Sequence, residues 1–167
     1  MCGIAGVLGG AAPAILVRRM LGQQVHRGPD GEGLWDSSTL GGRRLCLGHR
    51  RLSILDLSGA AGQPMADPSS RFVLTFNGEI YNFIEIRAEL AALGVSFRSN
   101  SETEVLLQAY VQWGSACLHR FNGMFAFALY DSVRNTLFCA RDRYGEKPFL
   151  FGAGRDFFAF ASEYKAL

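Results

Sequence analysis

The sequence predicts an α+β fold in which helices pack against antiparallel sheets, and three observations lead there. Strand-like runs come first, helical spacing fills the middle, and strand-like runs return at the end; that order suits segregated layers, not alternating strand–helix units. The 13 Phe and 20 Gly suit a sheet-rich chain with many tight turns. A composition of 49% hydrophobic and 19% charged residues supplies a core and argues against disorder. At 167 residues the chain fits one domain, and it is short for a ligase that must bind a nucleotide and two substrates.

The elements follow in order. Gly3–Gly9 alternates small and apolar residues as a short buried strand does. Pro13–Val25 carries Ile15, Leu16, Met20, Leu21 and Val25 at near-helical spacing, with Pro13 in the first turn. Arg27–Gly31 is a turn cluster. Gly33–Asp36 and Arg43–Leu47 read as strands joined by Gly41-Gly42, and Arg51–Leu57 extends the sheet. The stretch 58–70, with two Pro and several small residues, reads as a loop. Arg71–Phe76 is a strand that Asn77-Gly78 ends, and Asn82–Leu93 is a helix that stops at Gly94. Ser101 with Glu104 three residues on forms a capping box before the helix Val105–Trp113. Phe125–Tyr130, Thr136–Ala140, Pro148–Phe151 and Phe157–Ala161 are four further strands, the first two closed into a hairpin by Asp131–Asn135.

Several classes are disfavoured. The net charge of +2 gives no electrostatic case for a nucleic-acid partner or an anionic membrane surface. No apolar run approaches the ~20 residues of a membrane span, and no signal segment precedes Cys2, which implies a cytoplasmic protein. The four cysteines, Cys2, Cys46, Cys117 and Cys139, form no C-x-x-C pair, so no metal site is expected. Cys46, Cys117 and Cys139 read as buried small hydrophobes.

Cys2 differs by position. Removal of Met1 would leave a thiol and a free α-amine on one residue. With a reference pKa of about 7.7–8.0, that amine can serve as the base for its own thiol. A cysteine at this place by chance is the alternative. Asn77-Gly78 is ordinarily a hairpin signal, but a helix follows it; Asn offers an NH₂ donor and Gly an unobstructed backbone N–H, the pair an oxyanion hole requires. Arg50 and Arg51 face opposite sides of a strand, so one can be ion-paired while the other addresses a carboxylate. Of Glu102 and Glu104, one can serve the helix start and the other an ammonium group. Together these parts describe a site for an amino acid with a reactive carbonyl. A Cys–His enzyme using His49 or His119 is the competing reading.

Five ordered motifs, Met1–Val7, His26–Asp30, Arg51–Ile54, Phe76–Asn82 and Arg141–Pro148, resemble the glutaminase domain of B-type asparagine synthetases, a class II glutamine amidotransferase of the N-terminal-nucleophile hydrolase superfamily. The resemblance runs from Cys2 to Leu167. It implies a four-layer αββα sandwich with two antiparallel sheets between helical layers. It implies hydrolysis of the glutamine side-chain amide through a cysteinyl thioester. Carried over by position, Cys2 is the nucleophile, Arg51 binds the α-carboxylate of L-glutamine beside main-chain groups of Ile54 and Leu55, and Asn77 and Gly78 form the oxyanion hole. Glu79 sits by the α-amino group. Glu102 takes the ammonium-binding place that is usually Asp in the family. Arg27–Asp30 and Arg141–Pro148 are framework turns and ion pairs.

The Ser-Gly-Gly-x-Asp-Ser pyrophosphate loop of the synthetase half does not occur in this sequence. The resemblance therefore implies residues 2–167 as a glutaminase domain without cofactor. ATP and magnesium belong to a synthetase domain, fused or separate, absent from this chain. The ammonia acceptor is left open between aspartate and a sugar or peptide carboxylate, a glutamine-sensing role is the weaker alternative, and a homodimer is compatible with everything above.

Overall fold

The computed structural model describes residues 1–40, 42–52 and 61–167. Its elements are β1 (Gly3–Gly9), α1 (Pro13–Gly22), β2 (Gly31–Leu40), β3 (Arg43–Arg51), β4 (Met65–Ala66), β5 (Phe72–Ile80), α2 (Phe83–Ala92), α3 (Glu102–Trp113), β6 (Gly123–Asp131), β7 (Thr136–Arg141), β8 (Leu150–Ala153) and β9 (Phe157–Ala161). One antiparallel sheet has the order β2-β3-β1-β9-β8 and the other β4-β5-β6-β7. The layers are α1, first sheet, second sheet, then α2 with α3, so the αββα arrangement is the observed one.

Strand alternation builds three apolar layers from these elements. Ile4, Leu45, Leu47, Val73, Ala126, Ala128 and Phe160 meet between the sheets. Their in-between neighbours on β1 and β3, Ala5, Val7 and Cys46, turn outward to Val17, Met20 and Leu21 of α1. Leu74, Phe76, Phe127 and Leu129 turn the other way, onto Leu90, Leu106 and Leu107 of α2 and α3. Cys46 and Cys117 are buried, and burial pushes both thiols, and that of Cys139, up to about 12.

Several expectations are corrected. Asn77-Gly78 does not end the fifth strand: β5 pairs with β6 from Phe72 to Ile80 without interruption. Nine consecutive pairings outweigh a two-residue turn propensity. The reason for Gly78 also changes, because a Cβ there would lie 2.4 Å from Met124 O and 2.7 Å from Phe125 Cα, so glycine lets β6 approach. Met65–Ala66, expected as loop, is a short strand against Val73 and Leu74. The first helix ends at Gly22, and Val25–Arg27 forms a separate 3-10 turn. The eighth strand begins at Leu150, not Pro148. Gly41 and the proposed continuation 53–57 lie outside the described residues.

The Arg141–Pro148 segment is a framework turn, organised by one carboxylate. Asp142 accepts from the backbone N–H of Phe125, Tyr144, Glu146 and Lys147 at 2.9–3.2 Å. Burial opposes its charge, but these amides outweigh it and hold the carboxyl below the usual range. Arg141 closes the same turn through Lys147 O at 2.7 Å and Gly145 O. Asp142→Ala orphans two buried amides, those of Phe125 and Lys147, and is expected to destabilise the fold by about 3 kcal/mol in urea denaturation. Asp142→Asn, which keeps an acceptor, should lose less.

Candidate active site

The inter-sheet layer turns polar at one end. Cys2 is in phase with Ile4 on the first sheet, His49 and Arg51 with Leu45 and Leu47, and Thr75 and Asn77 with Val73 on the second. A cavity of about 350 Å³ opens there, lined by Cys2, His49, Arg51, Asn77 and Gly78 among others, and closed on the helix side by Glu102 and Thr103 at the start of α3. That volume is in the ~300–1,000 Å³ range of small-molecule sites.

One cavity wall includes the edge of β5 that β4 pairs only in part. β4 covers β5 only at Val73 and Leu74. Beyond it, the even-numbered residues of β5 direct their N–H groups away from β6. Phe76 N–H is taken by Gln63 Oε1 at 2.6 Å, and Ile80 N–H by Glu102 Oε2 at 2.6 Å. Gly78 N–H lies between them on the same edge. Asn77 is 2% exposed, and its Nδ2 has no acceptor among the described residues. An unpaired buried NH₂ is costly to keep and is ready for an incoming negative oxygen.

The opposite wall is braced from below. Cys2 Sγ lies against the Leu52 backbone, 3.4 Å from its N and 3.8 Å from its O. Arg27 Nε donates to Cys2 O at 3.0 Å, and Arg27 and His26 both reach Glu163 Oε1, at 3.3 and 2.7 Å. Asp30 N–H donates to Arg51 O at 3.0 Å, while a Cβ on Gly28 would fall 2.5 Å from the Arg50 carbonyl carbon. The turn thus presses directly on the end of β3. Arg50 is ion-paired to Glu32 at 3.0 Å on the outer side, and Arg51 faces the cavity.

The two glutamates at the start of α3 divide as follows. Ser101 caps the helix through Glu104 N–H. The buried Glu104 carboxylate then reaches past the cap to Arg98 N, Ser99 N and Ser99 Oγ at 2.6–3.1 Å. Glu104 is structural. Glu102 faces the cavity, and burial first, then the neighbouring Glu79 charge, push its carboxyl up to about 7, against the lowering pull of Ile80 N–H and Lys147. His49 is driven the other way. Burial, with Arg51 and Arg50 nearby, lowers it to about 3 despite a hydrogen bond to the Phe76 backbone, so its ring is neutral and a poor general base. His119 is exposed and does not line the cavity.

A family model described as a glutamine amidotransferase domain matches residues 1–167. The chain belongs to that family. Among relatives of this amidotransferase domain, asparagine synthetase (glutamine-hydrolyzing) 3 of Bacillus subtilis is 39% identical over 173 residues, covering all of this chain and 27% of the relative. Asparagine synthetase (glutamine-hydrolyzing) 1 of the same organism is also 39% identical over 173 residues, covering all of this chain and 26% of its own length. The chain thus spans about a quarter of these relatives. A solved structure of the glutamine phosphoribosylpyrophosphate amidotransferase of B. subtilis, complexed with ADP and GMP, superposes with a TM-score of 0.84 at 22% identity, over 99% of this chain and 42% of that one. That likeness concerns the fold.

Of the residues singled out in the sequence, Cys2, Arg51, Asn77, Gly78, Glu79 and Glu102 all line this same cavity. Ile54 and Leu55 lie outside the described residues. Sequence reading missed Gln63, hidden in an expected loop, and Lys147, 5% exposed and on the cavity wall inside a motif read as framework. It considered His49 as a base or as a structural donor, not as an acceptor. No described helix is long and apolar enough to cross a membrane.

The Glu102 carboxyl should titrate near pH 7 by ¹³C NMR. Glu79→Gln removes a like charge and should lower the midpoint, and Lys147→Met removes a compensating cation and should raise it. The folded state binds this proton more tightly than the unfolded chain does. The group's contribution to stability is therefore complete below its ordinary 4.5 and lost as pH rises through about 7. Denaturation midpoints of the wild type and Glu102→Gln compared across that window check the sign.

Proposed function

We propose that this domain hydrolyses the side-chain amide of L-glutamine to glutamate and ammonia through a thioester on Cys2. The observation that carries the reading is the convergence, in one cavity, of the Cys2 thiol, the Asn77 Nδ2, which has no acceptor among the described residues, and the outward-facing amide of Gly78. Arg51 binds the α-carboxylate of glutamine, and Glu102, in its ionised form, holds the α-ammonium with Glu79 beside it. Removal of the exposed Met1, itself part of the cavity wall, frees the α-amine of Cys2 and makes room for substrate.

The thiol proton passes to that amine as Sγ bonds to the amide carbon, and the carbonyl π electrons move onto oxygen. Asn77 N–H and Gly78 N–H stabilise the oxyanion. Collapse of the tetrahedral intermediate breaks the C–N bond, and the ammonium returns its proton to the departing nitrogen as ammonia. Water then adds to the thioester through a second oxyanion, giving glutamate and the free thiol. His49, held neutral, takes no proton in this sequence.

The ammonia serves an ATP-dependent synthetase domain, fused or separate. The length and names of the relatives favour aspartate as acceptor over a sugar or peptide carboxylate. ATP and magnesium belong to that partner.

Intact-mass analysis of the purified chain should give the mass without Met1, and 6-diazo-5-oxo-norleucine should add a single adduct at Cys2. A Met1-free protein that gains no adduct would end the proposal. In a glutaminase assay Cys2→Ala should be inactive. Asn77→Ala should lose about 10²–10³ in kcat with little change in KM. Glu102→Asp should retain hydrolysis; its complete loss would mean that the ammonium-binding assignment is wrong.

A further inference from the structure

His49 has no part in the reaction sequence above, yet it is placed beside it. Its ring projects from β3 into the inter-sheet layer, as Asn77 projects from β5, and both line the same cavity. The two strands are tied at this level, because Thr75 Oγ1 donates to Gly48 O at 3.0 Å, one residue before His49 and two before Asn77. His49 is 1% exposed; its hydrogen bond to the Phe76 backbone leaves Nε2 without a partner among the described residues, as Asn77 Nδ2 is. The orphans are complementary. A ring that keeps its proton on Nδ1 for the Phe76 carbonyl has a lone pair, and only a lone pair, at Nε2. An Asn carboxamide has two N–H groups, and an oxyanion needs one.

We propose that His49 is a positioning residue for Asn77: its Nε2 lone pair takes one carboxamide N–H through one bridging water, and so fixes the other N–H toward the oxyanion. Without such an acceptor the carboxamide can turn over and present its oxygen to the developing charge, which repels it. The depressed pKa of His49 supports this role, since a protonated ring would offer a second donor where an acceptor is needed. The inference rests on the glutaminase reading and assigns a supporting group to its oxyanion hole.

The test compares two inhibitors on the full chain. Glutamate γ-semialdehyde adds to the Cys2 thiol as a tetrahedral oxyanion, whereas L-glutamate fills the same pocket without one. His49→Ala should raise the inhibition constant of the aldehyde roughly 10- to 100-fold and lower kcat in parallel. The inhibition constant of glutamate and the KM for glutamine should stay nearly unchanged. His49→Gln, which supplies both a donor and an acceptor, should restore most of the loss. If His49→Ala does not fold, His49→Leu, which fills the space without an acceptor, is read the same way. Equal weakening of both inhibitors, no weakening of either, or failure of His49→Gln to recover more than His49→Leu overturns the inference. A wild-type chain that neither hydrolyses glutamine nor binds the aldehyde overturns the glutaminase reading itself, and this inference with it.

Discussion

The site depends on the brevity of β4. A full-length partner strand would satisfy every outward amide of β5, and a sheet edge so paired has nothing to offer a ligand. Because β4 covers only Val73 and Leu74, the N–H groups of Phe76, Gly78 and Ile80 need other acceptors. Two side chains supply them, Gln63 from the connection before β4 and Glu102 from the first turn of α3. The middle amide, that of Gly78, borders the cavity between them. The same two contacts fix the loop and the helix relative to the strand, and Gln63 extends the link to Thr103 Oγ1 at 3.2 Å. The shape of the cavity wall and local stability are therefore set by the same hydrogen bonds.

The second requirement is phase. One strand from each wall has to bring its functional side chain to the same gap, and a slip of one residue would turn Cys2 or Asn77 onto a helix-covered face. The apolar layer between the sheets enforces that phase. Ile4 sits two residues from Cys2, Leu47 two from His49, and Val73 four from Asn77, all buried in one cluster. The candidate site occupies the last rung of a pattern that the core maintains for its own stability.

Much of this was legible in the sequence, and the limits have physical causes. Element order, the α+β class and most strands followed from hydrophobic period, because those signals are local, whereas the four-layer arrangement followed from the resemblance. The site residues followed from motif resemblance together with their donor and acceptor chemistry. The Asn77-Gly78 pair misled because its turn signal is local while the pairing with β6 that overrides it is not. The separate roles of Glu102 and Glu104 could not be read from adjacent sequence, since what distinguishes them is the backbone each meets, Ile80 for one and Arg98 with Ser99 for the other. Gln63 and His49 acquire meaning only when a loop or a second sheet is placed against β5.

β1 is the central strand of its sheet, flanked by β3 and β9, and Cys2, the residue just before it, lines the cavity. Met1, the residue upstream of Cys2, is exposed and still lines the cavity, so residues joined there would run past its opening. The architecture thus makes the amino end unsuitable for affinity tags or fusion partners. Linkage through the carboxyl end, where Leu167 is about half exposed and away from this cavity, leaves the Cys2 side unobstructed.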